Sequence, residues 1–254
     1  MYFEIALFLT MIYSHNKSKR ARSDMIMRSD LKPQKIKDGS FGNKESFGEE
    51  VGNTITHGFM ALIVLVIMPF AIIRAYIRGG EEFAIIDATG VSVFCICIFL
   101  MFATSAVYHS TKHETTHKVV YNKLDHIGIF IAIAGTYTPI ALSVVGGVQG
   151  IILVSIQWTL VLAGILIKTL LWKKTKLLSV PIYLLMGWSV VFYFKLFLGN
   201  ATPLLFWMVI AGGICYTLGC IFYASSFKFS HMIFHFFINA GATFHFIGIV
   251  FALR

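Results

Sequence analysis

The nine histidines of this 254-residue chain include pairs whose spacing suits metal chemistry. His231 and His235 are four residues apart, so on a helix their rings share a face, and Asn239 extends that stripe by one more turn. Ser105 and His109 repeat the relation at the end of another apolar run, His57 opens a third, and Asp125 and His126 open a fourth. Two imidazoles at this spacing can clamp one ion. A third histidine from another helix would leave the fourth position open, which is the plan of catalytic rather than structural zinc. A nearby carboxylate can orient the water of such a site or accept its proton. Beyond Glu82 the only carboxylates are Asp87, Glu114 and Asp125, and Asp125 alone sits at the edge of an apolar span beside these histidines. Taken singly, such histidines fit interfacial residues reaching for water; the metal reading rests on their falling together on one membrane side. His113 and His117 are also four apart, but in a polar, lysine-bearing stretch, and read as solvated. His245 lies about 15 Å further along the helix than His235, too deep to share its ion, and reads as a buried, hydrogen-bonded histidine.

Composition says what must position these groups. Hydrophobic residues make up 57% of the chain and charged residues 13%, against roughly a quarter in an average soluble domain. A soluble fold of this length could not hide so much apolar surface. Cys95, Cys97, Cys215 and Cys220 all lie in apolar runs, so they read as packing thiols rather than a disulfide framework. Seven apolar stretches of roughly 20–25 residues, at about 57–77, 84–108, 126–145, 151–171, 178–198, 203–223 and 231–253, each suffice to cross a bilayer as a helix. Gly79-Gly80, Gly146-Gly147, Lys173-Lys174 and Gly199-Asn200 mark connections between them. The expected fold is an all-α, polytopic membrane protein, a seven-transmembrane-helix bundle over 47–254, preceded by a disordered polar tail over 1–46. Placing the tail in the cytoplasm puts seventeen Lys and Arg inside against four outside, so the positive-inside rule predicts a cytoplasmic N-terminus. This topology reverses that of a G-protein-coupled receptor. The net charge of +9 is then topological and implies no nucleic-acid partner.

Four motifs resemble the hemolysin III family, the bacterial branch of the progestin and adipoQ receptor group. They are Glu50 to His57 (E-x2-N-x3-H), Ser105 to His109 (S-x3-H), Leu124-Asp125-His126 with the residues to Phe130, and Ser230-His231 through His235. They occur in the family's order across about 47–254, whereas the long N-terminal segment departs from the bacterial pattern. The resemblance implies a seven-helix bundle with zinc near its cytoplasmic face. It implies His109, His231 and His235 as ligands, Asp125 as the acid acting on the metal's water, and Ser105 as a hydrogen-bonding partner or oxyanion donor. Similarity of the group to alkaline ceramidases suggests hydrolysis of a lipid amide.

Three functions follow as expectations for a protein integral to the cell membrane. One is a zinc-dependent hydrolase of a lipid amide or ester, with membrane lipids as partners and a lipid as substrate. A second is a cytolysin that damages membranes by forming pores, against which the seven near-continuous apolar spans argue. A third is a non-catalytic membrane-homeostasis sensor in which zinc only pins helices together; three rather than four ligands argue against it.

Overall fold

The structure, a computed structural model, describes residues 45–113, 115–170 and 179–254. The expected tail, up to residue 44, lies outside the described residues, as do Glu114 and the lysines at 173, 174 and 176. Every regular element among the described residues is a helix: α1 (Phe47–Ser110), α2 (Thr116–Pro139), α3 (Gly147–Leu170), α4 (Ser179–Gly187), α5 (Phe194–Asn200), α6 (Pro203–Ala224) and α7 (Ser230–Ala252). A π-helical stretch (Ile140–Val145) continues α2, and a 3-10 turn (Ser189–Tyr193) joins α4 to α5. Six helical stretches are long and apolar enough to cross a membrane, counting α4 through α5 as one. The chain is thus an integral, multi-pass membrane protein.

Within α1 the backbone leaves helical geometry at Gly80, where φ is 60° and ψ is −153°. A straight helix would hold His57 and His109 about 78 Å apart. Instead both rings pack on His235, with centroids at 3.6 Å and 5.0 Å. The element therefore folds back on itself as two arms, 47–79 and 81–110. Gly80 supplies a left-handed φ that a side chain would strain. Gly79 supplies space, because a Cβ there would stand 2.6 Å from the backbone of Ala84.

α2 is the central helix: 78% of its apolar window is buried, against at most 44% for the other five. Small residues let its neighbours approach, as at Gly90, where a Cβ would stand 2.9 Å from Cα of Pro139. Outward faces are apolar in the manner of lipid-exposed helices, as along Leu62, Val66, Phe70, Ile73 and Ile77 of the first arm.

The fifth apolar stretch was expected as one span over 178–198, but its helix is interrupted at Gly187–Ser189. Backbone groups freed by such a break need partners inside a bilayer. Here Tyr137 of α2 donates to the Gly187 carbonyl at 2.6 Å and accepts from Val190 N–H, while Gln157 of α3 donates to the Met186 carbonyl. The four cysteines are free thiols within the helices, as the sequence suggests.

Gly79→Ala is expected to lower the thermal transition of the detergent-purified protein, since the clash is with backbone that cannot turn aside; overpacking of this kind costs about 1–3 kcal/mol. Gly187→Ala, where a Cβ meets nothing within 4 Å, should leave the transition unchanged.

Candidate metal centre

The site lies at the end of the bundle opposite the Gly79-Gly80 turn. It is built by the start of the first arm, the end of the second, and the starts of α2 and α7. A capping box between Ser46 and Glu49 opens α1. Glu49 also accepts the Phe229 N–H at 2.6 Å, tying the start of α7 to the start of α1.

His109, His231 and His235 converge. Each offers a ligand atom within 4.8 Å of the other two. Their ring centroids form a near-regular triangle of 5.1, 5.0 and 4.8 Å. Hydrogen bonds on the outer side of two rings settle which nitrogens face inward in chemical terms. The Nδ1 of His109 donates to Glu50 Oε2 at 2.8 Å, and its Nε2 is buried with no hydrogen-bond partner. The Thr56 hydroxyl donates to the Asn53 carbonyl, so it accepts from His235 Nδ1 at 3.3 Å. Each ring thereby keeps an Nε2 lone pair for an ion, the usual arrangement behind a metal-bound histidine. The donor set fits a metal that accepts three imidazoles.

The remaining residues singled out from sequence divide. Half-buried Asp125 and buried Ser105 line the same apolar cavity as His57, His231 and His235. That cavity has a volume of about 140 Å³ and runs between α2, α4, α6 and α7 as far as Tyr216 and His245. Asp125 interacts electrostatically with the tyrosines around it, Tyr108, Tyr183 and Tyr223. It stands more than two turns inside α2, which begins ten residues earlier than the expected span. His245 is buried and bonded to the Val209 carbonyl at 3.2 Å, as anticipated. His117 is exposed, in keeping with the solvated reading.

One expectation needs correction. His113 is not merely solvated: its Nε2 stands 2.7 Å from Glu50 Oε1, because α1 and the turn before α2 meet there. Lys168, within the apolar stretch 151–171, is 1% exposed near the end of α3.

Spacing also missed the site's nearest carboxylates. Glu45 approaches Nδ1 of His109 at 3.6 Å and of His231 at 3.9 Å, and receives Asn53 Nδ2 at 2.8 Å. Burial raises its carboxyl above the ordinary range, while the neighbouring His109 pulls the other way. Glu50 holds Lys118 as well as His109, with Lys118 Nζ at 2.9 Å. Glu45, Glu50 and His109 form a second set of metal-compatible donors, but the Lys118 ammonium already supplies the cation there. His57 lies flat on His235, with planes 4° apart, and buttresses that ring. The E-x2-N-x3-H motif was the signal for this shell, although its partners could not be read from it.

A helical, multi-pass membrane protein with three clustered histidines at one end of its bundle is the class that fold and site define. A family-level sequence model described as Haemolysin-III related matches residues 46–246. The chain is 34% identical over 204 residues to the Hemolysin-3 homolog of Bacillus subtilis (strain 168), covering 80% of this chain and 93% of that protein. It is also 34% identical to Hemolysin-3 of Bacillus cereus, covering 80% of this chain and 91% of that protein. The chain belongs to the haemolysin III family.

About one divalent ion per chain is expected in metal analysis of the purified protein. His109→Ala, His231→Ala and His235→Ala should each fall well below one ion per chain and keep only a weak residual affinity, and His117→Ala should keep the ion. Full retention in His231→Ala would refute the assignment.

Proposed function

We propose that the protein is a zinc-dependent membrane hydrolase acting on a lipid amide or ester, with His109, His231 and His235 as the ligands. The observation that carries this reading is the convergence of three imidazoles, each of two keeping an Nε2 lone pair, beside an apolar cavity that also holds a carboxylate. Zinc held there would supply Lewis acidity and lower the pKa of water to about 7. Asp125, on the cavity wall, takes up the proton lost by the attacking water and returns it to the departing amine or alcohol. Ser105, from the helix that carries His109, donates a hydrogen bond to the developing oxyanion. Apolar walls exclude bulk water and seat a hydrocarbon chain. Membrane lipids are both solvent and substrate source.

Counting the two arms of α1 separately, the proposed topology is seven crossings with the N-terminus and the metal centre on the cytoplasmic side, in the cell membrane, following a polar tail over 1–46. It is supported by the distribution of Lys and Arg. A periplasm-active reporter fused after Arg254 should be active, and one inserted at 173–176 inactive. The opposite pattern would sink the orientation.

Membrane lysis is the second reading, favoured by the name of the relatives, hemolysin. The protein reconstituted with a panel of lipid amides and esters separates the two. Wild type should cleave at least one lipid, and Asp125→Asn at matched zinc occupancy should be 10²–10⁴-fold slower, the usual cost of losing a general base. Failure of both forms to cleave, with red-cell lysis or a membrane-fluidity phenotype surviving in the variant, would replace the hydrolase by a cytolysin or a sensor.

A further inference from the structure

The first arm and the two residues before it contribute none of the three histidines yet touch all of them. Thr56 and His57 hold His235, and Glu45 faces His109 and His231. The shortest of its charged contacts with these three rings is Glu50 Oε2 to His109 Nδ1, at 2.8 Å. Glu50 is 8% exposed and its partner Lys118 is 7% exposed. Burying such a pair costs more than packing an apolar pair of similar volume, so stability alone is a weak reason for it. Its connections point to a second reason. Lys118 is itself fixed by the Tyr108 carbonyl at 2.8 Å, and its ammonium lies 4.1 Å from the centre of the Tyr108 ring. Tyr108 precedes His109 on the same turn. Lysine, carboxylate and imidazole therefore form one chain of contacts ending at the His109 ring.

Resting on the metal reading above, we infer that Glu50 is a positioning residue for the metal, acting through His109, with Lys118 holding Glu50 in place. The carboxylate accepts the hydrogen bond from Nδ1–H, which fixes the tautomer and leaves Nε2 as the ligating atom. Lys118 occupies the other oxygen, which also has His113 Nε2 at 2.7 Å, so the carboxylate can neither turn away nor take a second ion. A glutamine at position 50 has a single acceptor oxygen, for which Lys118, His113 and His109 must compete, and its amide group would face a donor.

The test is zinc affinity, measured by chelator competition on the full-length protein in detergent. Glu50→Gln should weaken zinc binding about 10–100-fold. Its thermal transition in excess chelator should fall, because Lys118 loses its carboxylate partner, and Glu50→Asp should restore it; the intensity of the cobalt(II) absorption band should change with the altered ligand geometry. Glu45→Gln, whose contacts to the His109 and His231 rings are longer, at 3.6 and 3.9 Å, should weaken binding less. In a His109→Ala background Glu50→Gln should change the residual affinity by less than about twofold. Wild-type affinity in Glu50→Gln would overturn the inference while leaving the three-histidine site intact. So would an equal loss in the His109→Ala background, or a lowered transition in chelator that Glu50→Asp does not restore, since either marks a merely structural role. Absence of zinc binding by the wild type would remove the metal reading and this inference together.

Discussion

A polar group left unpaired at bilayer depth costs several kcal/mol, and this constraint organises the whole bundle. At one end, Asp87 accepts from Arg254 at 2.8 Å, and Arg254 also donates to the Ser143 carbonyl. The last carbonyls of α7 are taken by Arg74 and Thr202. Midway, Tyr137 and Gln157 satisfy the interrupted helix between α4 and α5. At the other end the Glu50–Lys118 pair closes the circuit beneath His109. The bundle is thus pinned by polar contacts at both ends and at one interior break. Its walls between those pins have room to part around an apolar cavity.

That arrangement explains which features could be read in the sequence. Helix membership follows from apolar stretches of sufficient length, and the Gly79-Gly80 reversal from two glycines between two such stretches. The His231–His235 pair is legible because a fixed helical period determines its geometry. The partners of Glu50 are not legible in that way. They come from residues 59 and 68 positions away, brought together by the packing of three helices. His113 looked solvated for the same reason, since only the tertiary approach of α1 supplies its carboxylate. The break at Gly187–Ser189 was hidden because its compensating groups lie on other helices. Asp125 is legible because it is the carboxylate nearest the histidine motifs in the later spans, whereas Glu45 and Glu50 lie at the first span's start.

The two arms divide the labour of the site. The second arm presents His109 and Ser105 to the interior, and α7 presents His231 and His235. The first arm packs behind them, so its polar residues meet the outer edges of the rings while the inner edges stay clear. A ligand-bearing helix cannot do this for itself, because its own backbone hydrogen bonds are already committed within the helix. Asn239 Nδ2, on the α7 stripe, reaches the Thr56 carbonyl at 3.5 Å and extends the same contact deeper.

An i, i+4 pair is useful only if its helix starts at the right residue, because a shift of one residue turns both rings by about 100°. Phe229 precedes α7 in a left-handed conformation, with φ of 63°, which stops helical geometry from running back toward α6. A bulky residue holds that conformation only where its surroundings impose it. Glu49 is what imposes it, by accepting the Phe229 N–H while its other oxygen completes the capping box at Ser46. One carboxylate therefore fixes the first residue of the arm behind the site and the first residue of the helix in front of it. The register of the outer contacts and the register of the two histidines are set together, and the triangle of rings depends on both.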